Sequence, residues 1–169
     1  MQPATIKIGL ISDTHGYLDD QIIQHLSTCD EIWHAGDFGT LQVSDSLAAV
    51  KPLRGVYGNI DDAAIRTIHP KNQRFVCAGL DVYITHIGGY PGKYQPDVRK
   101  AIQLNPPQLF ICGHSHILKI MPDKSNGLLH INPGAAGRHG FHKVRTLVTF
   151  IIAEGRITEL KVIELGKRA

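Results

Sequence analysis

The chain has 169 residues, with 18 Lys and Arg against 15 Asp and Glu, ten His and a formal net charge of +3 at pH 7. At about 150 residues per domain, this length predicts a single domain over residues 1–169. A composition of 43% hydrophobic and 20% charged residues excludes a disordered chain, and the mild charge offers no basic stripe of the kind that nucleic acids select.

Met1-Gln2-Pro3-Ala4 has no basic region leading into an apolar stretch, so no signal peptide is expected. Thr5–Ile11 reads as a buried strand. Asp19 and Asp20 are N-cap candidates for a helix whose inner face carries Ile22, Ile23 and Leu26. Glu31–Ala35 is a short strand. Leu41–Val50 is a helix with Val43, Leu47 and Val50 on one stripe, ended by Pro52. Leu53–Tyr57 is a third strand, and Asp61–Ile68 holds one or two helical turns.

Beyond this point the pattern changes. Arg74–Cys77 and Leu80–Thr85 form a hairpin turning near Ala78-Gly79. Pro96–Leu104 is a helix with Val98, Ala101 and Ile102 inward, and Pro106-Pro107 resets the chain into Leu109–Cys112. A second hairpin pairs Ile117–Met121 with Leu128–Ile131, and a third pairs Lys143–Ala153 with Arg156–Leu165 around Glu154-Gly155. βαβ units followed by hairpins predict an α/β fold, two mixed sheets face to face with helices outside, in αββα layers. No apolar run reaches the ~20 residues that span a bilayer. Cys29, Cys77 and Cys112 are odd in number and widely spaced, which predicts buried thiols and a reducing cytoplasm rather than a disulfide framework.

Five strands run into polar residues introduced by small ones: Ser12-Asp13-Thr14-His15, Gly36-Asp37, Gly58-Asn59-Ile60-Asp61, His86 before Gly88-Gly89, and Gly113-His114-Ser115-His116. Ligands bind outside the carboxyl ends of strands in open α/β sheets. The donors offered there are nitrogen and oxygen only, suited to Mn, Fe, Ni or Zn and not to a thiolate zinc site. Seven donors exceed one tetrahedral ion and fit two ions sharing a carboxylate, the arrangement that clamps the attacking and leaving oxygens of phosphoryl transfer. Each motif alone reads first as a turn, a helix cap or a satisfied histidine; the ordered set of five points to metal.

These residues resemble the calcineurin-like metallophosphoesterases. The short length and Ile131-Asn132-Pro133-Gly134-Ala135 look most like the small bacterial and archaeal phosphodiesterase branch, over about residues 5 to 165. The resemblance implies that Asp13, His15, Asp37 and His116 hold one metal and Asp37, Asn59, His86 and His114 a second, with Asp37 bridging. It implies two divalent ions, manganese first, with nickel, iron or zinc as alternatives. A hydroxide between them would attack phosphorus in line with the leaving ester oxygen, with Asn59 binding the phosphoryl group. Asp61 belongs with Asn59 among the catalytic residues, through a supporting role that orients a ligand or caps the short helix. Many members place a leaving-group acid, His, after the motif's Asn; here that position is Ile60, which favours activated or nucleotide-type phosphodiesters over unactivated monoesters.

The expected partner is a small-molecule phosphodiester, with no membrane, no specific nucleic acid and self-association left open. Two alternatives accompany this reading. One is a phosphomonoesterase. The other is a non-catalytic interaction scaffold like the retromer subunit of similar fold, which has lost metal ligands; here all seven donors are kept. His34 is read as a hydrogen-bonded histidine near the site. Arg138 or His139 is a candidate phosphate contact, and Tyr90–Tyr94 a lip whose rings stack on a base or pack on the body.

Overall fold

A computed structural model describes residues 4–169. Met1–Pro3, the start of the stretch read as lacking a leader, lies outside the described residues. In chain order the elements are β1 (Thr5–Ile11), α1 (Asp20–Ser27), β2 (Glu31–His34), α2 (Leu41–Val50), β3 (Leu53–Gly55), α3 (Ala63–Ile68) and β4 (Asn72–Cys77). They continue with β5 (Leu80–Thr85), α4 (Pro96–Leu104), β6 (Leu109–Ile111), β7 (Leu118–Asp123), β8 (Leu128–Pro133), β9 (Val144–Ala153) and β10 (Arg156–Lys167).

The strands form two mixed five-stranded sheets, ordered β10-β9-β1-β2-β3 and β4-β5-β6-β8-β7. Within the first, β1, β2 and β3 are parallel, and the late β9–β10 hairpin joins antiparallel beside β1. Within the second, β5, β6 and β8 are parallel between the antiparallel edges β4 and β7. The three predicted hairpins all form. What chain order hid is that the last of them completes the first sheet.

Strand alternation divides the apolar residues among three layers of contact. Ile8, Leu10, Trp33 and Phe150 from one sheet meet Val82, Ile84, Ile111 and Ile131 from the other. Trp33 sits edge-on to Phe75 and Phe150, and its indole N–H donates to Glu31 Oε2 at 2.9 Å, so its one polar atom is satisfied. The outer face of the first sheet carries α1, α2 and α3 through Ile11, Ile22, Leu26, Leu47 and Ile65. The outer face of the second carries α4 through Val98 and Ile102, against Phe110. Gly9 lets α1 approach β1, since a Cβ there would lie 2.6 Å from Leu26 Cδ2.

The caps refine the sequence reading. Asp19 caps α1, accepting from Ile22 N at 2.8 Å, and Thr40 caps α2. For α3 the cap is Asp62, accepting from Ile65 N at 3.1 Å, and not Asp61. That correction frees the Asp61 carboxylate for another task. All three cysteines are buried and free. Among the described residues no helix is long and apolar enough to cross a membrane.

Candidate metal centre

The parallel strands of both sheets deliver their carboxyl ends to one edge. There the loop after β1 continues alongside the loop after β2: Asp13 N donates to Gly36 O, His15 N to Asp37 O and Gly16 N to Phe38 O, at 3.0, 3.1 and 2.8 Å. Gly113 N donates to His86 O at 3.0 Å, and His114 N to Asp13 Oδ2 at 3.1 Å, which ties the second sheet's loops to the first. The backbone here is unusual. Among the described residues eight non-glycine positions have positive φ, and five of them are predicted ligands: Asp13, His15, Asp37, His114 and His116, between 46° and 71°. Such residues are uncommon in the left-handed region, and their clustering at one edge marks a functional constraint.

Two triads result, Asp13 with His15 and His116, and Asp37 with His86 and His114, each with its ligand atoms within 4.8 Å of one another. Asp37 joins them: its Oδ2 lies 3.3 Å from His15 Nε2 and 3.2 Å from His86 Nε2. His116 Nε2 lies 3.2 Å from Asp13 Oδ1. His86 Nδ1 donates to Ala35 O at 2.7 Å, which fixes the tautomer and leaves the Nε2 lone pair facing the cluster. The Asn59 side-chain oxygen is 3.1 Å from that same Nε2. The structure thus brings together all seven predicted ligands.

The donor set fits divalent metal, since each triad could hold an ion. Asp13 Oδ1 and His15 Nε2 are buried and near oppositely charged partners, yet at angles that form no hydrogen bond. Buried polar atoms are rarely left so, and a shared central cation would satisfy both. Electrostatics agree. Burial acts to raise the Asp13 and Asp37 carboxyls, but the facing histidines outweigh it and hold both well below the ordinary carboxylate range. Burial acts to lower His15, yet Asp13 and Asp37 raise it to about 9, and His86 is raised for the same reason. Burial and neighbouring His86 lower His114.

Around the ligands sits a shell that sequence reading reached only in part. Asp61 accepts from three backbone N–H groups, Phe38, Gly39 and Gly58, at 3.2, 2.9 and 2.8 Å. It therefore clamps the Asp37 loop to the Asn59 loop, a positioning role. Gly58 is required there, because a Cβ would collide with the Asp37 carboxylate. His34 is fully buried, accepts at Nδ1 from Gly36 N at 3.0 Å and meets Thr14 Oγ1 at 3.0 Å through Nε2. Burial pushes it down to about 3, so it is a neutral strut between the two ligand loops. Phe38 stacks on His34 and on His69, and His69 meets Ser44 Oγ at 2.8 Å. His69 had no motif to announce it.

The cluster opens into a mouth of about 300 Å³ lined by Asn59, Ile60, His139 and the fully exposed Phe141, among others. Ile60 is 46% exposed there, an apolar side chain in place of a proton donor. His139 stacks on His15 with centroids 4.8 Å apart. The Arg138 guanidinium lies 4.8 Å over the Tyr17 ring.

Comparison with known proteins agrees with this geometry. The profile of the calcineurin-like phosphoesterase superfamily domain matches residues 6–155. The "Probable metallophosphoesterase MJ0623" of Methanocaldococcus jannaschii is 28% identical over 137 residues, covering 78% of this chain and 68% of that one. Among solved structures, an archaeal phosphodiesterase superposes with a TM-score of 0.66 at 23% identity, over 95% of this chain and 100% of its own. Zinc-complexed Vps29 of Entamoeba histolytica superposes with a TM-score of 0.67 at 14% identity, over 94% and 99%.

Proposed function

Since the chain belongs to the calcineurin-like phosphoesterase superfamily, we propose that it is a dinuclear metal-dependent phosphodiesterase acting on small phosphodiesters. The observation that carries this reading is the position of Asp37 Oδ2, 3.3 and 3.2 Å from one histidine of each triad. When bound, divalent ions would supply Lewis-acid charge to the phosphoryl oxygens and lower the pKa of a water molecule.

The chain's own residues supply the rest. Asp13, His15 and His116 would hold one ion, and Asn59, His86 and His114 the other, with Asp37 placed to serve both. Formal charges of +4 from the ions and −2 from the two aspartates leave a cationic floor for an anionic ester. The Asn59 amide, whose oxygen faces the cluster beside His86 Nε2, would present its N–H to a phosphoryl oxygen. Ile60 gives the leaving group no proton, so esters with stable leaving anions are favoured; general-acid help is typically worth ~10²–10⁴-fold.

A protein of the vacuolar protein sorting type with this fold also takes up zinc, so metal uptake alone does not separate hydrolase from binding scaffold. Turnover does. Protein stripped with chelator and reconstituted with Mn, Ni, Fe or Zn is assayed on bis-p-nitrophenyl phosphate and on an alkyl phosphomonoester. The expected outcome is metal-dependent turnover, faster on the diester. Stoichiometric metal without turnover on either supports the scaffold, and faster monoester turnover supports a phosphomonoesterase.

A further inference from the structure

A second cavity, of about 220 Å³, opens beside the second triad and shares His114 and Ser115 with the mouth of the metal centre. Its position is set by the segment between β5 and α4. Gly88 lies flat against the second sheet, where a Cβ would stand 2.6 Å from Phe110 and 2.8 Å from Cys112. The chain then turns outward through Gly89, at φ +79°, and the lip is tied back by Tyr94, whose hydroxyl donates to Asp123 at 2.7 Å. Tyr90 is left at the rim with Lys119 Nζ 3.9 Å from its ring centroid. The walls are mostly apolar, with Ile87 and Ile117 facing the space.

One polar group in this wall is unanswered. His130, on β8, is 1% exposed, and neither of its ring nitrogens has a hydrogen-bond partner among the described residues. Its neighbours are engaged: the Asn132 amide donates to Gly113 O and Ser115 Oγ, both at 3.0 Å, and its oxygen accepts from Gly134 N. A buried unsatisfied donor or acceptor costs ~1–3 kcal/mol, and the ring lines the cavity, so a ligand seated against it would relieve that cost. Burial, with Lys119 nearby, pushes His130 down to about 4. It is therefore neutral at pH 7 and offers one donor and one acceptor. The space is below the ~300–1,000 Å³ of pockets for drug-sized ligands, which suits one planar ring system with an apolar face and a donor–acceptor edge.

We propose that this cavity is the subsite for a nucleobase on one ester arm of the substrate, held by Tyr90 at its face and His130 at its edge. The inference rests on the phosphodiesterase reading and narrows its substrate to nucleotide phosphodiesters. The cavity adjoins His114, so a base seated there and a phosphoryl group at the cluster belong to one molecule.

The test is calorimetric titration of manganese-loaded protein with adenosine 5′-monophosphate and with ribose 5-phosphate. The base-bearing ligand is expected to bind at least ~10-fold tighter, the scale of stacking plus an edge hydrogen bond. Tyr90→Ala and His130→Phe should each reduce that preference to within ~3-fold. Tyr90 is at the surface, so its variant remains informative if the buried His130 substitution impairs folding. Equal affinities in the wild type, or a preference that survives Tyr90→Ala, overturns the subsite while leaving metal-dependent turnover untouched. If neither phosphate binds, saturation-transfer NMR with adenosine decides the cavity, and turnover on the diester still decides the metal centre. Transfer to the base protons that disappears in Tyr90→Ala supports the subsite; absence of transfer in the wild type, or transfer that persists in the variant, overturns it.

Discussion

The two triads share a composition of one aspartate and two histidines, yet they are held differently. The first is packed into place. His139 lies over His15, and His142 is edge-on to His116 at 5.3 Å, itself anchored through Nε2 to Gly137 O at 2.8 Å. The second is held by hydrogen bonds: His86 to Ala35 O, and the Asp37 and Asn59 loops to the Asp61 carboxylate. Its outer ligand, His114, is exposed and borders the second cavity. Ring packing covers one half of the centre, while backbone bonding leaves the other half open. Under the proposed function, an ester arm would have room on the second side, and the first would serve chiefly to hold charge.

Removing what the two halves share gives the largest effect. Asp37→Ala deletes the carboxylate between them, so both ions are expected to lose affinity together and turnover on bis-p-nitrophenyl phosphate to fall at least ~10³-fold. Metal content by mass spectrometry and rate are measured on the same preparation. A variant that keeps two ions per chain and its rate would break the assignment of Asp37 as the joint.

A change to the clamp separates the halves. Asp61→Ala leaves three backbone N–H groups without their carboxylate and loosens the Asp37 and Asn59 loops, but it touches neither Asp13 nor His116. Outer partners of this kind are worth ~10–100-fold in metal affinity. In a two-step metal titration, the step assigned to the second triad should weaken by that factor and the first should move less. Equal weakening of both steps would mean that the ring packing of the first triad does not stand on its own.

The clustering of the seven candidate donors was legible because each follows an apolar strand and a small residue, a pattern that survives without coordinates. The layers were legible from period-two and period-3.6 alternation. Other features left no local trace. Nothing near Asp13 or His116 announces a left-handed backbone, since that conformation is imposed by bonds between loops distant in sequence. The role of Asp61 was half visible: its partners Phe38 and Gly39 lie 23 and 22 residues away, and neighbouring Asp62 took the cap. His130 looked like any strand histidine, because only the tertiary cavity leaves its nitrogens unpartnered. The contact of Arg138 left no local trace either, since Tyr17, whose ring its guanidinium covers, lies far away in the sequence.

The smallest effect concerns the strut beneath both halves. His34 joins the β1 loop through Thr14 and the β2 loop through Gly36, and burial lowers it from 6.5 to about 3. The unfolded chain binds this proton more readily, so stability falls as pH drops from about 6.5 toward 3, by at most ~1.4 kcal/mol per pH unit from this group. His130, lowered to about 4, acts in the same direction. His15 and His86 act oppositely: their pairing stabilises the metal-free protein fully below about 6.5 and fades as pH rises, for His15 through about 9. Asp13 and Asp37, held below 3.8, stay ionised and contribute constantly above about pH 4.5. Urea unfolding of chelated protein should therefore show maximal stability near pH 6.5, declining on both sides. A flat profile between pH 4.5 and 6.5 would mean that His34 is charged or solvated in the fold, and that the two loops are joined by something other than a neutral ring.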